Sequence, residues 1–113
     1  MLSTIKSSRE IDRVFSEAKR TTHPLVAVLV ARTPDGRGPA GRVAFIAGKK
    51  TGGAVARNRA KRVLRGAVKA AGVKWPGWDV VVLANQRTGA AGSSSVGAAL
   101  ACILDQTPAG DVR

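Results

Sequence analysis

Residues 48–72, GKKTGGAVARNRAKRVLRGAVKAAG, combine a strongly basic composition with the periodicity of a helix. The segment holds eight Lys and Arg residues and no Asp or Glu, although the rest of the chain contains seven acids. A helix with one apolar face must bury that face against another layer of structure while its charged face stays outside. We expect the helix to begin between Thr51 and Ala54 and to end at Ala71, before Gly72. The apolar positions share one side of the helical wheel: Ala60, Val63, Leu64, Ala67, Val68 and Ala71.

The charged side of this helix predicts an anionic partner. Basic residues recur at a spacing of four, and like charges at that spacing destabilise an isolated helix. A solvated helix face is the ordinary interpretation of a charge run, but such a face normally mixes both signs. Arginine predominates here, and its guanidinium group fits phosphate oxygens in two-point contacts. We therefore expect a phosphate backbone to bind a stripe formed by Arg57, Lys61, Arg65 and Lys69, with Asn58 and Arg62 beside it.

Length and charge indicate one basic globular domain. The chain has 113 residues, a formal net charge of +12 and 44% hydrophobic residues, which is too apolar for a disordered tail. We predict a single domain over residues 1–113, with flexible tails at about 1–6 and 107–113. The lone Cys102 can form no internal disulfide, and we find neither a secretory signal nor an apolar run long enough for a membrane span. A cytoplasmic protein without a membrane partner is expected.

Ahead of the basic segment, the pattern predicts a helix and two strands. Ser7 or Ser8 can cap a helix from about Arg9 to Lys19 or Arg20, with an apolar face that includes Ile11, Val14, Phe15 and Ala18. Residues 25–31, LVAVLVA, and 42–47, RVAFIA, read as strands separated by a Gly-rich loop over 33–41. The simplest interpretation of these two strands is an antiparallel pair closed by that loop.

After the basic segment, the sequence predicts a turn over residues 74–77 and a third strand over 79–84, DVVVLA. A polar loop over 85–92 then leads to a last helix, capped within 93–95 and ending at Leu104. Its buried edge is expected at Val96, Leu100, Ile103 and Leu104. Helices alternate with strands that read as a sheet, so the fold class is α+β, with a layer of helices on the sheet.

Catalytic side chains of the protein's own are not evident. The chain has one His, one Cys and no Tyr. His23, beside Pro24, is interpreted as a turn residue and Cys102 as a core residue, and we identify no set of metal ligands. The GKKT sequence at 48–51 lacks the upstream glycine of a nucleotide-binding loop, because position 43 is Val. Gly52 and Gly53 are better explained by a close approach of the backbone to phosphate.

Residues 49–65, KKTGGAVARNRAKRVLR, resemble the hallmark of the bacterial ribonuclease P protein component, KK-x-G-x-AV-x-RNR-x-KR-xx-R. The resemblance covers most of the chain. It implies a two-layer sandwich of a mostly antiparallel four-stranded sheet and helices in the order αβββαβα, with a left-handed βαβ crossover through the basic helix. A short strand near residues 20–23 would be the fourth strand.

The resemblance also implies a function. It implies a subunit of a ribonucleoprotein endonuclease that removes the 5′ leader of precursor tRNA, with the chemistry performed by the RNA subunit and its bound Mg²⁺, and no small-molecule substrate. The residues expected to contact the catalytic RNA are Lys49, Lys50, Arg57, Asn58, Arg59, Lys61, Arg62, Arg65 and Lys69.

A second surface implied by the resemblance is a cleft between the first helix and the sheet that receives the single-stranded leader. Ile11, Phe15, Ala27 and Leu29 occupy the corresponding positions. Ile11, Ala27 and Leu29 replace larger or aromatic residues, so stacking on the leader should be weaker, and Phe15 is equally compatible with the core. Asn85 stands where an Arg is frequent, and Arg87 can substitute for it. For Trp75 and Trp78 we favour packing over RNA stacking.

Two other classes fit parts of the sequence. A non-enzymatic RNA-binding protein of the ribosomal or chaperone type would use the same fold and the same basic helix. A DNA-binding protein is disfavoured, because we identify neither helix-turn-helix spacing nor a dimerising stripe.

Overall fold

The computed structural model describes residues 3–5, 7–33, 41–72 and 75–107. A short 3₁₀ turn, Lys49–Thr51, precedes the basic helix. In chain order the elements are β1 (Ser3–Thr4), α1 (Ser8–Glu17), β2 (Lys19–His23), β3 (Val26–Arg32), β4 (Arg42–Ile46), α2 (Ala54–Ala71), β5 (Trp78–Leu83) and α3 (Thr88–Leu104).

The strands form one mixed sheet in the order β1-β4-β5-β3-β2. β5 pairs in parallel with β4 and antiparallel with β3, and β2 pairs antiparallel with β3. The α+β class and the αβββαβα order are therefore confirmed, and β2 is the short fourth strand. β1 adds two residues in parallel at the β4 edge. The left-handed sense of the β4–α2–β5 crossover remains a prediction from the resemblance.

The expected hairpin between the strands predicted over residues 25–31 and 42–47, observed as β3 and β4, is wrong. β5 lies between β3 and β4 and pairs with both. Its VVVL sequence is buried at every position from Val80 to Leu83, as suits a strand at the centre of the sheet, where both of its edges are hydrogen-bonded. Most of the connecting loop, residues 34–40, lies outside the described residues.

Two helix boundaries differ from the sequence prediction. α1 ends at Glu17, because Lys19 and Arg20 pair with Val30 and Leu29 in the sheet. α3 begins at Thr88 and is interrupted at Gly92, whose φ of 81° is not helical, so the expected loop is partly a helical turn. The Thr88 side chain is buried, and its hydroxyl donates to Leu25 O at 2.7 Å, which holds that turn against the sheet.

Side-chain alternation gives the sheet two buried faces. One face carries Val28, Val80 and Val82 and packs against α2 and α3 in the larger core cluster, where the expected apolar edge of α3 is buried. The opposite face carries Leu29 and Val81 and packs against α1. The helical layer of the predicted sandwich is thus α2 and α3, and α1 covers the other side of the sheet.

Residues near both chain ends take part in the fold, within the ranges predicted as flexible tails. Ile5 is buried in the cluster beneath α1, and its N–H donates to Val43 O at 2.8 Å. Thr107 is buried next to the end of α3. Residues 1, 2, 6 and 108–113 lie outside the described residues. No helix in the described ranges has the length and apolarity needed to span a membrane.

Candidate nucleic-acid interface

The basic helix α2 begins on a backbone that only glycine adopts readily. Gly52 has a φ of 134°, and a Cβ at this position would lie 2.9 Å from Ala56 Cβ. The cap residue, Gly53, makes no side-chain cap hydrogen bond. The first-turn N–H groups of α2, at the positive end of the helix dipole, therefore have no side-chain acceptor at the cap and are suited to bind an anion. At the other end, Gly72 adopts the left-handed conformation that terminates the helix, as predicted.

The apolar and the basic residues of α2 lie on different sides of the helix, as predicted. Ala60, Leu64 and Ala67 are buried in the molecule, and Val63 and Val68 pack partly against the larger core cluster. Arg57 and Lys61 are half-buried, so their stems line the edge of the helix. Fully on the outside are Lys50, Asn58, Arg59, Arg62, Arg65 and Lys69. The side chain of Lys49 lies outside the described residues.

The charges on this face are not balanced within the protein. Among the described residues, the ion pairs with Asp or Glu are made by Arg13 and Arg42, and none involves α2. The Arg65 guanidinium stacks over the Phe45 ring at 5.8 Å, which fixes one cation without neutralising it. The basic face is thus an uncompensated positive surface with an affinity for polyanions.

The N-terminal ends of α2 and α3 meet at one edge of the sheet. β4 and β5 are parallel neighbours, so the helices that follow them both start at the carboxyl ends of these strands. Two adjoining clefts of about 210 and 320 Å³ lie there and share Gln86. Thr51 Oγ1, at the first cleft, is buried without a hydrogen-bond partner. The clefts are lined by Thr51, Ala56, Arg59, Gln86, Gly89 and Ala90, and by Pro24, Lys50, Asn85, Gln86 and Arg87.

This edge contains residues beyond those predicted from the sequence. Arg87 is predicted only as a substitute for a missing arginine, and Thr51 and Gln86 are not predicted as site residues. Asn85 has a structural role: its Nδ2 donates to Pro24 O at 2.9 Å, and its Oδ1 accepts from Arg87 N at 2.8 Å. The βαβ crossover implied by the resemblance makes β4 and β5 parallel, and only a prediction that they are neighbours would have placed Lys50 and Arg87 at the same edge.

The four residues of the expected leader cleft all lie on the α1 side of the sheet. Ala27 and Leu29 are buried beneath α1, at 6% and 4% exposure, and Ile11 packs partly against the same cluster. Phe15 is 47% exposed, so it is a surface residue and not core. Trp75 is buried and donates from Nε1 to Arg42 O at 2.8 Å, as expected for packing. Trp78 is half-buried, with the Arg32 guanidinium 5.1 Å from its ring centroid.

A buried charge cluster, which the sequence does not predict, lies between α1 and the sheet. Asp79 is fully buried and accepts hydrogen bonds from Arg42, Arg13 and Thr33. Arg42 also donates to Glu10 Oε1 at 2.7 Å. The hydrogen bonds to the Asp79 carboxylate raise the pKa of Arg42 further above its ordinary value, against the opposing effect of burial. Arg42 is therefore a permanently charged, internally paired residue.

A sequence model of the family described as "Ribonuclease P" matches residues 2–107, almost the whole chain. The chain belongs to the ribonuclease P protein family. The match includes α2 with its basic face, the strands on both sides of it and the helix α1 that covers the opposite side of the sheet.

Individual members of the family are similar over different lengths. The ribonuclease P protein component of Symbiobacterium thermophilum is 37% identical over 86 residues, which cover 73% of this chain and 70% of that protein. The ribonuclease P protein component of Dehalococcoides mccartyi is 54% identical over 46 residues, or 41% of this chain. This chain thus matches 38% of the length of the D. mccartyi relative.

Solved structures of ribonuclease P proteins share the fold. The Staphylococcus aureus protein superposes with a TM-score of 0.77 at 20% identity, covering 96% of this chain and 98% of that one. The Thermotoga maritima protein gives a TM-score of 0.75 at 22% identity, with 93% and 97% coverage. At these identities the likeness supports the architecture alone.

Proposed function

We propose that the protein is the RNA-binding subunit of a ribonucleoprotein endonuclease that removes the 5′ leader of precursor tRNA. The observation that carries the proposal is the uncompensated basic face of α2 in a chain of the ribonuclease P protein family. In this proposal the face contacts the catalytic RNA through Arg57, Asn58, Arg59, Lys61, Arg62, Arg65 and Lys69, with Lys49 and Lys50 extending the contact.

The physical role of this face is to neutralise phosphate. Folded RNA packs negatively charged strands close together, and the protein lowers that repulsion by placing fixed cations beside them. Arginines on a rigid helix lose less conformational freedom on binding than those on a loop, so the helix contributes position as well as charge. Arg87 and Lys50, at the edge where α2 and α3 begin, would extend the same surface.

The chemistry is assigned to the RNA and its bound Mg²⁺. The described residues contain no group of three His, Cys, Asp or Glu side chains that could hold a metal ion. Their donor set does not fit a protein metal centre, so we derive no step of the cleavage from this chain. The protein's part is to bind, to orient and to screen charge.

The leader is proposed to bind on the α1 side of the sheet. Phe15 provides an exposed ring on which a base can stack, and a stacked base contributes about 1–3 kcal/mol. Ala27 and Leu29 lie beneath α1, Ile11 belongs to α1, and the three shape this surface without offering rings of their own. Since α1 and α2 cover opposite faces of the sheet, leader and catalytic RNA can bind at the same time.

The alternative is a non-enzymatic RNA-binding protein that uses the same basic face. Capture of the tagged protein from its own cells, followed by sequencing of the bound RNA, separates the two functions. The proposal predicts enrichment of one catalytic RNA and of precursor tRNA, and predicts that Arg57→Ala with Arg62→Ala abolishes the enrichment. Recovery of ribosomal RNA or of a mixture without a dominant species would favour the alternative.

A further inference from the structure

Four charged side chains connect α1 to the centre of the sheet. Arg42 and Asp79 are partners in register on β4 and β5, and both are buried. Glu10 and Arg13 lie one turn apart on α1, and each contacts this pair. The signs alternate along Glu10, Arg42, Asp79 and Arg13, so each charge has an opposite neighbour. We call these four residues the α1 latch.

Apolar contacts alone hold α1 weakly. The helix has ten residues, of which Val14 is buried and Ile11 half-buried, and Ala18, which follows the helix, is also half-buried. A short helix with so little buried surface can rotate or shift on the sheet unless directional contacts fix it. The latch supplies such contacts at two successive positions on one side of the helix. Because Phe15 lies on the same helix, two residues after Arg13, a latch that fixes α1 on the sheet also sets where the helix presents Phe15.

Because of the latch, Arg13 and Arg42 are not available to bind phosphate. Asp79 accepts two hydrogen bonds from Arg42, at 2.8 and 2.6 Å, and one from Arg13. The Arg13 side chain is only 25% exposed, and it also contacts Arg32 O at 3.3 Å. Unlike the cations of α2, these two guanidinium groups are paired with carboxylates inside the protein, although Arg13 Nε is buried without a hydrogen-bond partner.

We propose that the α1 latch positions α1, and with it Phe15, for the 5′ leader, and that its four residues are positioning residues, its two arginines, Arg13 and Arg42, not serving as phosphate ligands. The inference rests on the proposed function, which assigns the leader to the α1 face. It adds that leader recognition depends on charges that do not touch the leader.

The test uses the complex with the RNA subunit and two precursor tRNAs, one with a leader of a single nucleotide and one with a leader long enough to cross the α1 face. Arg13→Met and Glu10→Gln change the net charge in opposite directions. Positioning predicts that both variants weaken binding of the long-leader substrate, by about three- to ten-fold, and leave the single-nucleotide substrate unchanged. Electrostatic attraction alone predicts opposite effects of the two variants. Arg13→Lys, which keeps the charge and a donor toward Asp79, should restore part of the loss.

The outcomes of this test separate a failure of the latch inference from a failure of the proposed function. If the unaltered complex binds both substrates equally, the assignment of the leader to α1 fails and the inference fails with it. If the unaltered complex prefers the long leader and both variants keep that preference in full, the latch inference alone is wrong. Effects of opposite sign, or equal losses on both substrates, would also overturn it. Thermal unfolding of each variant establishes that α1 variants are compared as folded proteins.

Discussion

Arg42 and Asp79 face each other across the parallel strands β4 and β5 and make a two-point contact inside the protein. Arg42 Nε lies 2.8 Å from Asp79 Oδ1, and Arg42 Nη2 lies 2.6 Å from Oδ2. Asp79 is fully buried, and Arg42 is 6% exposed. The pair therefore links β4 to β5 on the side of the sheet that α1 covers. Each partner helps to compensate the buried charge of the other.

Removing one partner should destabilise the fold strongly. Asp79→Ala removes both hydrogen bonds from the buried Arg42 guanidinium to Asp79 and leaves it paired with Glu10, and we expect a loss of about 3–5 kcal/mol in the free energy of unfolding, measured by urea denaturation. Asp12→Ala removes an acid from the exposed side of α1 and should change the free energy by no more than about 0.5 kcal/mol. Equal effects of the two substitutions would contradict the role given to the buried pair.

The contribution of Arg42 should not depend on pH in the ordinary working range. Its pKa is raised in the folded protein, so its stabilising effect is fully present below the ordinary pKa of arginine and is lost only as the pH rises through the still higher value of the folded state. Between about pH 7 and pH 10, the stability difference between the unaltered protein and Arg42→Met should be constant. A difference that shrinks steadily over this interval in urea denaturation would show that the paired arginine titrates there.

The basic face of α2 should act on RNA affinity and not on folding. Arg62 is exposed and Arg57 half-buried, and neither makes an ion pair within the described part of the chain. Arg57→Ala and Arg62→Ala should each weaken binding of the RNA subunit by about 1.5–3 kcal/mol, as for hydrogen bonds to charged groups, with unchanged melting temperatures. Arg9→Ala, an equal change in charge on the opposite side of the sheet, is the matched control. If Arg57→Ala and Arg62→Ala lose no more RNA affinity than Arg9→Ala does, the assignment of α2 as the interface is wrong.

Binding should depend steeply on salt. If about six phosphates are contacted, the plot of log affinity against log salt should have a slope of magnitude near 4 to 5. Each arginine removed from the face should lower that magnitude by about 0.7–0.9. Filter binding over a series of KCl concentrations measures the slope. A slope that is shallow, or that Arg57→Ala leaves unchanged, would mean that these side chains are not phosphate ligands.

Close packing of α2 on α3 should make Gly66 intolerant of a side chain. A Cβ there would overlap Ser93 Oγ and lie 3.0 Å from Ser93 Cβ, while Ser93 Oγ donates to Val63 O at 3.2 Å. Gly66→Ala should therefore destabilise the protein by about 1–3 kcal/mol despite its gain of about 1 kcal/mol in helix propensity. Gly89→Ala, in the first turn of α3 with ordinary contact distances, is the control and should be neutral or stabilising. Thermal unfolding that ranks the two substitutions the other way would contradict this packing.

Local patterns predicted the elements better than their arrangement. The one-sided apolar pattern of α2 and the glycine at position 72 placed that helix within its observed bounds, because both signals act over a few residues. Strand pairing depends on contacts between distant segments, and nothing in the β3 and β4 sequences indicates that β5 lies between them. The error in pairing also hid part of the site, since the edge that joins Lys50 to Arg87 exists only when β4 and β5 are parallel neighbours.

The charge cluster was invisible in the sequence for the same reason. Arg42 and Asp79 begin predicted strands, where charged residues are ordinarily solvent-exposed, and 36 residues separate them. Their burial follows from the register of β4 on β5 and from α1 covering that face. Phe15 shows the converse case, because its apolar character is equally compatible with a leader cleft and with the core, and the structure leaves it exposed.

The most direct test of the account is reconstitution with a bacterial ribonuclease P RNA at a Mg²⁺ concentration too low for that RNA to act efficiently alone. Leader removal from precursor tRNA is followed with the RNA alone, with the unaltered protein and with the Arg57→Ala, Arg62→Ala double variant. We predict that the unaltered protein raises the rate of cleavage at the mature 5′ end and that the double variant does not. No gain in cleavage with the unaltered protein, under conditions where it binds the RNA, would contradict the account.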